Sequence, residues 1–449
     1  MFLRSPRAIN SRPALYNSGE WWTYGRLSEE VNRWTELLRY STKCLLFCFA
    51  QNDVPTVCCY LGAIEAGHAV ALLDAQLAAE FRDRLVALYE PEFIFGLSAH
   101  PNYVQVEPQL WRRAQASDGL IHPSLTLLLS TSGSTGSPKF VRLTAENVSS
   151  NADSIREALA IQEDDRAIAS LPFNYSYGLS VLNSHLAQGA AVVLTNEALT
   201  SRTFWDLVRE QKCTSMAGVP YSYQILRRLD IDGLNVPTLQ TLTQAGGKLT
   251  NDLIAHFHEI MARRNGRFFT MYGQTEATAR ISILPADKLP EKLGSTGPAI
   301  PRGHISIEEG EVIYRGPNVM MGYATSRGDL SLGDQLSGRL ATGDLGYLDS
   351  DGFLFPTGRA KRDMKLFGIR INLDEVEALL RVHGPTAVIG CGDKLVAYCE
   401  HGDEQALNNL RHELAEKLNI HWQALDFRRI GSIPLTASGK IDYRSLEQI

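Results

Sequence analysis

Hydrophobic residues recur along the chain at two spacings. Between Val148 and Leu159 they fall at positions i, i+4, i+7 and i+11, which predicts a helix with one apolar face. Shorter continuous apolar runs, at 191–195 and 267–272, predict buried strands. Strands and helices that alternate in this way are typical of α/β proteins with largely parallel sheets. Further helices are predicted at 204–211 and 252–264, with a short strand near 215–220.

The pattern changes twice toward the C-terminus. After about residue 290 the chain reads as short strands separated by turn residues. Further on it becomes a compact mixture that includes a helical pattern at 404–419. Proline, glycine and clustered charge coincide at 356–363. We therefore predict an α/β protein with a large N-terminal domain of layered sheets and helices, residues 1–358, and a small mobile C-terminal α+β domain, residues 359–449.

Composition limits the class of protein. Hydrophobic residues make up 44% and charged residues 21% of the chain, which is sufficient for a globular core. The net charge of -6 gives no general attraction to nucleic acid or to an anionic membrane surface. The first residues lack an apolar signal core, and the longest apolar runs are too short to span a bilayer. Seven cysteines without a Cys-x-x-Cys pair predict buried, reduced thiols in a cytoplasmic protein.

A hydroxyl-rich segment, residues 130–139, separates two strand-like apolar runs. It is not a Walker-type P-loop, because Pro138 separates Gly136 from Lys139 and proline is poorly placed inside a helix. The composition predicts a hairpin whose backbone N–H groups and hydroxyls bind a polyphosphate, with glycines that permit close approach. A plain Ser/Gly surface turn is the alternative.

Three other short stretches carry candidate chemistry. Residues 271–276, Met-Tyr-Gly-Gln-Thr-Glu, follow a predicted strand and offer a tyrosine for purine stacking, a threonine hydroxyl for a phosphate and a carboxylate for Mg²⁺. Asp344, in a tight glycine-flanked turn, suits the two hydroxyls of a ribose. Lys440 follows a Ser-Gly turn. Each stretch by itself also fits a structural role, as a core tyrosine, a turn aspartate or a solvated lysine.

The order of these stretches resembles the adenylate-forming superfamily, which includes acyl-CoA synthetases, the adenylation domains of nonribosomal peptide synthetases and firefly-type luciferases. The resemblance consists of a Ser/Thr/Gly loop, Tyr-Gly-x-Thr-Glu, Thr-Gly-Asp, a Gly-Arg hinge and a terminal Gly-Lys, and it covers nearly the whole chain. It implies an ATP-dependent ligase that converts a carboxylic acid into an acyl-AMP, releases pyrophosphate and then forms a thioester.

The resemblance also implies roles for individual residues at the nucleotide. Adenine is expected beside Gly246 and Gly247 and stacked on Tyr272, and the ribose hydroxyls are expected to bind Asp344 and Arg359. The loop that closes on the β- and γ-phosphates of ATP would comprise Thr131, Ser132, Gly133, Ser134, Thr135, Gly136 and Lys139.

The same resemblance implies where the chemistry occurs. Thr275 would touch the α-phosphate, Glu276 would coordinate Mg²⁺, and Lys440 would bridge the substrate carboxylate and the phosphate oxygens. Lys361 occupies the family's hinge position, and Gly368 matches a glycine past which pantetheine threads. The chemistry is consistent with this set: a carboxylate is already ionised at neutral pH and needs no general base, whereas two anions that must meet need cations.

The stretch that gates the acid pocket in relatives, 171–186, departs from the family pattern. Asn174 and Tyr175 stand where Phe and His are common, and Ser176 stands near the place where peptide-synthetase relatives carry an Asp. No carboxylate occurs in this stretch. Because a buried ammonium group needs acceptors, we expect common α-amino acids to be poor substrates and simple short, medium or aromatic acids to be better ones.

Coenzyme A is the favoured thiol acceptor. A stand-alone adenylating enzyme that loads the phosphopantetheine of an acyl carrier protein is the close alternative, because it presents the same thiol. A non-catalytic nucleotide-binding protein is a third possibility, against which the presence of both Glu276 and Lys440 argues. Luciferase-type oxidation is a remote fourth. The expected partners are therefore a small carboxylic acid and a thiol carrier, with no nucleic acid and no membrane span.

Overall fold

Two compact units make up the protein. A computed structural model describes residues 10–98, 100–115, 119–130, 139–231, 233–359, 362–366, 369–392, 394–418, 420–436 and 439–449. The first unit comprises Met1–His304 and Tyr314–Leu340, and the second comprises Ile305–Ile313 and Ala341–Ile449. The predicted domains, 1–358 and 359–449, are separated by an expected hinge and not by compactness. This division remains a prediction that residues 359–449 move as one segment.

The strands of the described residues run in chain order as follows: β1 (Pro13–Asn17), β2 (Glu20–Thr23), β3 (Leu45–Ala50), β4 (Ala69–Asp74), β5 (Phe93–Phe95), β6 (Tyr103–Glu107), β7 (Leu110–Arg113), β8 (Leu125–Ser130), β9 (Phe140–Thr144), β10 (Arg166–Ile168), β11 (Ala191–Val193), β12 (Ser215–Gly218), β13 (Thr241–Gln244), β14 (Arg267–Tyr272), β15 (Ser282–Ile283), β16 (His304–Glu308), β17 (Glu311–Arg315), β18 (Gly322–Ala324), β19 (Arg339–Leu348), β20 (Leu354–Arg359), β21 (Asp363–Leu366), β22 (Ile369–Asn372), β23 (Thr386–Cys391), β24 (Lys394–Cys399) and β25 (Leu425–Arg429). The helices are α1 (Tyr24–Leu37), α2 (Val54–Glu65), α3 (Ala79–Tyr89), α4 (Ala145–Ala158), α5 (Ser176–Gln188), α6 (Arg202–Glu210), α7 (Pro220–Leu229), α8 (Asn251–Arg263), α9 (Leu373–Leu380), α10 (Glu404–Leu418) and α11 (Tyr443–Glu447).

Two eight-stranded sheets form the first unit, as far as its residues are described. In one sheet the strand order is β15-β14-β13-β12-β10-β11-β1-β2, and all pairs but the two at its ends are parallel. In the other sheet the order is β18-β9-β8-β4-β3-β5-β7-β6, and only the three central pairs are parallel. The expectation of largely parallel sheets is thus met in the first and wrong for the second, because the connections β6–β7 and β8–β9 are too short for a parallel crossover.

Four helices fill the space between these sheets. One hydrophobic cluster joins residues of α1, α2, α4 and α5 to inward residues of both sheets. β3 illustrates the packing: Leu46 and Cys48 face this cluster, whereas Leu45, Phe47 and Phe49 face a second one. A strand that is covered on both faces reads as a continuous apolar run, as 44–50 does.

The helix predicted from the 148–159 spacing is α4, and it is confirmed. Val148, Ala152 and Ile155 are buried, as the apolar stripe requires. Its start is fixed by a capping box in which Thr144 accepts from the Asn147 amide and the Asn147 side chain accepts from the Thr144 amide.

The second unit contains smaller sheets. The strand order β23-β24-β25 forms a three-stranded sheet, β21 and β22 form a two-stranded one, and β16-β17-β19-β20 form a four-stranded one. α9 and α10 pack with β23–β25 in one hydrophobic cluster. The helix predicted at 404–419 corresponds to α10. The prediction that the C-terminal part of the chain mixes helices and strands is therefore confirmed.

The cysteines agree largely with the predicted buried, reduced thiols. All seven are free, and all but Cys391 are buried. Burial raises the pKa of Cys44 and of Cys213 to about 12, so these thiols are inert at neutral pH. Among the helices of the described residues, none is both long and apolar enough to cross a bilayer.

Candidate functional site

The predicted phosphate loop is framed by two strands. β8 and β9 pair antiparallel, with Ser130 opposite Phe140 at the end where the chain leaves the sheet. The hairpin predicted from the two apolar runs is therefore confirmed. The loop residues themselves lie outside the described residues, and their role stays a prediction for Thr131, Ser132, Gly133, Ser134, Thr135 and Gly136.

Lys139, the last residue before β9, lies over the ring of Tyr323. Its Nζ atom is 3.2 Å from the ring centroid, a cation–π contact. Tyr323 is on β18, where it pairs with Val141 of β9. The buried guanidinium of Arg142 donates to the backbone oxygen of Tyr323 at 3.1 Å and to the side-chain oxygen of Gln335 at 2.9 Å. Strand pairing and Arg142 thus fix Tyr323 beside Lys139.

The hydroxyl of Tyr323 connects this contact to Glu276. It donates a hydrogen bond to Glu276 Oε1 at 2.8 Å. Burial, reinforced by the Glu276 carboxylate, raises the pKa of Tyr323 above its ordinary value, so the phenol stays protonated and can donate at neutral pH. Lys139, Tyr323 and Glu276 are called the Lys–Tyr–Glu cluster below. Tyr323 orients one oxygen of the carboxylate that sequence reasoning assigned to a metal.

Glu276 lies in a tight loop that follows β14. The loop contains a 3₁₀ turn, Thr275–Ala277. A Cβ added to Gly273 would lie 1.9 Å from the backbone oxygen of Ala279. The backbone segments at 273 and 279 are therefore too close together for any residue other than glycine at position 273. Thr278 has φ of 65°, which is rare for a β-branched residue and indicates stored backbone strain.

Asn318, buried at 1% exposure, holds this loop in shape. Its Nδ2 donates to the backbone oxygens of Ala277 at 2.8 Å and Arg280 at 2.9 Å. Its own backbone oxygen accepts from the Thr278 hydroxyl at 2.7 Å. The hydroxyl of Tyr314 donates to Asn318 Oδ1 at 2.7 Å and so orients the amide. These contacts offset the strain at Thr278.

The candidate acid-pocket residues lie at the start of α5, close to this loop. Ser176, the first residue of α5, has its Oγ atom 3.3 Å from Thr275 Oγ1. A Cβ added to Gly246 would lie 2.5 Å from the Tyr175 hydroxyl, and Gly246 has φ of 84°. The structure therefore brings Tyr175, Ser176, Thr275 and Gly246 together. Asn174 is half-buried in the turn before α5.

The remaining adenine-site candidates also lie in the first unit. Gly247 packs against α7, since a Cβ at this position would lie 3.1 Å from Pro220 Cγ. Tyr272 is the last residue of β14 and is half-buried. Both positions border the segments that carry Gly246 and Thr275.

In the second unit, Asp344 and Arg359 pair across two strands. Arg359 Nε lies 3.1 Å from Asp344 Oδ1, and the two residues are directly opposite in β19 and β20. The expectation that Asp344 sits in a tight turn is wrong: it lies within β19, beside Gly343, whose φ is 72°. Ladder pairing with β20 keeps the chain extended where the flanking glycines suggested a turn.

Lys440 lies in a small turn near the C-terminus. The Lys440 backbone oxygen accepts from the Thr436 amide at 2.7 Å, and its own amide donates to the Thr436 hydroxyl at 3.2 Å. Leu435 and Ile441 form an isolated β-bridge around this turn. Lys361 and Gly368 lie outside the described residues, so their assignments as hinge and tunnel residues stay predictions.

Sequence reasoning missed Tyr323, Asn318 and Arg280. Tyr323 and Asn318 lie more than 40 positions from the motif they support, and their partners are visible only after folding. Arg280 had a usable signal: it is a charged residue directly before the mostly apolar stretch 281–284, Ile-Ser-Ile-Leu. A charged residue in a stretch that reads as buried must be paired or used in binding.

The site offers one candidate carboxylate for a cation. Within the described ranges, no group of three or more His, Cys, Asp or Glu side chains is placed to hold a metal ion. Glu276 is half-buried and adjacent to the Ser176–Thr275 contact. Mg²⁺ commonly uses one or two carboxylates and completes its shell with substrate phosphates and water, so this donor set fits Mg²⁺ carried by a nucleotide.

Comparison with known proteins gives a consistent set of relatives. The acyl-CoA synthetase-like protein YngI of Bacillus subtilis is 30% identical over 71% of this chain and 62% of its own length. The oxalate–CoA ligase of Arabidopsis thaliana is 31% identical over 57% of this chain and 52% of its own length. The 2-succinylbenzoate–CoA ligase of Enterococcus faecalis is 25% identical over 96% of this chain and 94% of its own length. The matches to the first two thus cover between about half and two thirds of those relatives.

A solved structure supports the same fold. The o-succinylbenzoate CoA synthetase of Bacillus subtilis, in complex with its acyl-adenylate intermediate, superposes with a TM-score of 0.79 at 24% identity, covering 97% of this chain and 95% of that one. The family model described as AMP-binding enzyme matches residues 2–324, which include the hairpin, the Lys–Tyr–Glu cluster and the α5 contact. The chain belongs to the AMP-binding enzyme family.

Proposed function

We propose that this protein is an ATP-dependent acid–thiol ligase. In the first step an oxygen of the substrate carboxylate attacks the α-phosphorus of ATP, the bond to the β-phosphate oxygen breaks, and pyrophosphate leaves from an acyl-AMP. In the second step a thiol sulfur attacks the acyl carbon, AMP leaves, and a thioester and a proton are produced. Relatives named as CoA ligases support this reading.

The Lys–Tyr–Glu cluster is the observation that carries the proposal. It combines a carboxylate, a protonated phenol that orients it and an ammonium group, next to the Ser176–Thr275 contact at the start of α5. Such a set suits a polyphosphate with its cation on one side and a carboxylate substrate on the other. Gly246 and Gly247 would line the adenine, and Tyr272 would stack on it.

Charge neutralisation is the main task of these residues, because both reacting groups are anions. Glu276 would hold Mg²⁺, which when bound offsets the charge of the phosphates. Lys139 would contact the terminal phosphates, and Lys440 would contact the oxygens of the reacting carboxylate and the α-phosphate. Asp344 would accept from the ribose hydroxyls, with Arg359 beside it.

Coenzyme A is the proposed thiol, and a carrier-bound phosphopantetheine is the alternative. The three relatives described above carry CoA in their names, whereas another relative is a PKS-NRPS hybrid synthetase of Aspergillus candidus, of which the match covers 14%. A non-catalytic nucleotide-binding protein is disfavoured, because it would not require an oriented carboxylate. The free, mostly buried cysteines support a cytoplasmic location.

An acid-dependent ATP–pyrophosphate exchange screen tests the proposal. Aliphatic, aromatic, dicarboxylic and α-amino acids are compared, and each active acid is then offered CoA or a phosphopantetheine-loaded carrier protein. We expect exchange with simple acids, loss of exchange in Glu276→Gln, and thioester formation with CoA. Nucleotide binding without exchange for any acid would contradict the enzyme assignment, and exchange driven by amino acids with simple acids inert would contradict the predicted substrate class.

A further inference from the structure

Arg280 is a buried cation without a carboxylate partner. It is 2% exposed, and among the residues that the structure describes it forms no ion pair with an Asp or Glu side chain. Its hydrogen bonds are long: Nη1 donates to the backbone oxygen of Ala279 and Nη2 donates to Ser180 Oγ, both at 3.3 Å. Its Nε, which is buried, has no hydrogen-bond acceptor. A guanidinium carries five N–H donors, so most of its capacity is unused.

Aromatic contact does not replace the missing anion. The guanidinium lies 4.2 Å from the centroid of the Tyr177 ring, a favourable cation–π contact that supplies no negative charge. Burial lowers the pKa of Arg280, and the phenols of Tyr177 and Tyr175 offset this only partly. Arginine stays charged in proteins even so. Burying a charge without a counter-ion costs desolvation free energy. Because an anion that paired with Arg280 would recover part of this cost, the side chain is well suited to bind one.

Arg280 lines a cavity that runs along α5. The cavity wall includes Tyr177, Ser180, Ser184 and His185 of that helix. Its volume of about 30 Å³ exceeds the roughly 10–15 Å³ that one water needs, so the space accepts a small polar group.

The other charged groups that line the cavity are already engaged. Asp165 accepts from the Thr214 hydroxyl and from the Gln162 amide, both at 2.8 Å. Arg267 donates to the backbone oxygen of Leu159 at 2.9 Å and to the Thr241 hydroxyl at 3.1 Å. Arg267 is itself a cation, and Asp165 forms no ion pair with Arg280, so neither group neutralises the Arg280 guanidinium.

The position of Arg280 relative to the reacting end follows from the helix. Ser176, which contacts Thr275, and Ser180, which contacts Arg280, are one turn apart on α5. Four residues of α-helix rise about 6 Å. If the reacting carboxylate of the acid lies at Thr275, a second group that is only a few bonds from this carboxylate would thus reach Arg280.

We propose that Arg280 binds a second carboxylate of the acid substrate, so that the enzyme selects short dicarboxylic acids over uncharged acids of the same size. This inference rests on the proposed ligase function and names the substrate class of that site. The same charge would repel the ammonium group of an α-amino acid. Arg280 acts here as a specificity residue, because the adenylation chemistry takes place at the other carboxylate.

A different role would leave a different signature. If Arg280 served only to hold the 273–280 loop through Tyr177 and Ser180, its removal would lower stability and slow every acid alike. If it bound a stray inorganic anion, chloride would stabilise the protein as well as a diacid does. Both alternatives can be separated from substrate recognition by matched ligands.

The test compares diacids with their monomethyl esters, which keep the size and one reactive carboxylate but lose the second charge. Succinate, glutarate, adipate and phthalate are each paired with their ester in pyrophosphate exchange with the full chain. We expect at least one diacid to exceed its ester in kcat/KM by roughly 10- to 150-fold, the range for one hydrogen-bonded charge contact. Arg280→Met should abolish this preference, and Arg280→Lys should retain part of it. Arg39→Met, which removes the same charge from an exposed position, is the matched control and should retain the preference for the diacid.

Binding is measured separately by the shift in the thermal unfolding midpoint of the wild-type protein with each diacid, each ester or chloride. Stabilisation by a diacid beyond that by its ester and by chloride is expected, and this measurement does not depend on how the variants fold. Equal kcat/KM for diacids and esters, or a preference that survives Arg280→Met, would overturn the inference while leaving the ligase function intact. Exchange with no acid at all, together with no effect of ATP on the unfolding midpoint, would contradict the proposed function itself.

Discussion

At the scale of single residues, the site depends on how a half-buried carboxylate is oriented. Glu276 could rotate about its side-chain torsions, and each rotation would move its oxygens away from a bound cation. The Tyr323 hydroxyl restrains one oxygen at 2.8 Å, and Lys139 lies on the face of the same ring. The tyrosine therefore acts as a positioning residue for Glu276.

Replacing Tyr323 by phenylalanine tests this role. Tyr323→Phe keeps the ring and its contact with Lys139 but removes a hydrogen bond to a charged acceptor, which contributes about 1.5–3 kcal/mol. We expect roughly tenfold or greater loss in the rate of pyrophosphate exchange and a higher Mg²⁺ concentration for half-maximal rate. Tyr347→Phe, at a 52% exposed position stacked on Phe355, is the matched control. An unchanged Mg²⁺ requirement in Tyr323→Phe would show that the phenol does not position the carboxylate.

His185 gives a prediction about stability and pH. Burial lowers its pKa below the ordinary value, and the backbone oxygen of Val181 and Asp165 offset this only partly. Because the pKa of His185 is lower in the folded state, the unfolded state binds the proton more readily. The neutral side chain therefore makes its full contribution to the free energy of unfolding above the pKa of the unfolded state, about 6.5, and this contribution is lost as the pH falls toward the pKa of the folded state. We expect the free energy of unfolding to fall between pH 7 and pH 5. In the His185→Gln variant, the free energy of unfolding measured by urea titration should fall less steeply over this pH interval. Parallel pH dependences of the two proteins would exclude His185 as a cause of the pH-dependent stability.

At the scale of elements, the loop after β14 illustrates what could and could not be predicted. The strand 267–272, the hairpin strands and helix α4 follow from apolar spacing, because each buries a regular face. The motif at 271–276 also placed Thr275 and Glu276 correctly on the loop that follows. The clamp by Asn318 had no local signal, since its partners lie about 40 residues away in sequence and meet it only in the folded unit.

The contact between α5 and the loop after β13 can be tested by a steric change. Gly246→Ala would place a Cβ 2.5 Å from the Tyr175 hydroxyl and 3.2 Å from Val219 Cγ1, at a φ of 84° that disfavours alanine. We expect a stability loss of about 1–3 kcal/mol, as for overpacking, and a higher KM for the acid. In Gly246→Ala/Tyr175→Phe the hydroxyl is gone and the next ring atom lies at 3.7 Å, so part of the loss should be recovered.

Urea unfolding of the two single variants and the double variant measures this recovery as a coupling energy. Additive losses would show that the hydroxyl of Tyr175 does not approach Gly246 as described. The backbone strain at Gly246 should persist in the double variant, because phenylalanine at 175 does nothing to relieve a positive φ.

At the scale of the whole molecule, sequence and structure divide the chain at different places for different reasons. The predicted boundary at 358/359 follows a cluster of proline, glycine and charge. The compact units instead divide the chain at three positions, 304/305, 313/314 and 340/341, which lie within β16, β17 and β19. Strand pairing between distant segments leaves no signal in composition. In the second sheet, the antiparallel pairing of β18 with β9 was missed for the same reason, whereas the hairpin of β8 and β9 was predicted.

The two units carry different parts of the proposed machinery. Glu276, Thr275 and the hairpin belong to the first, whereas Asp344, Arg359 and Lys440 belong to the second. The proposed function needs Lys440 during adenylate formation, when two anions meet, but not when a thiol attacks the finished adenylate. The resemblance assigns the second step to Gly368, on a different segment of the same unit, and assigns the change between states to a hinge at Lys361.

This division of labour predicts that the half-reactions respond separately to mutation. Lys440→Ala should slow acyl-AMP formation by roughly 10²-fold or more, the scale for loss of one charge-stabilising group. Supplied with synthetic acyl-AMP, the same variant should transfer the acyl group to CoA at a near-normal rate. Lys361→Pro, which restricts φ at the proposed hinge, should do the reverse. Single-turnover assays of pyrophosphate release and thioester formation distinguish the steps. Equal damage to both steps by Lys440→Ala would mean that one arrangement of the two units serves the whole reaction.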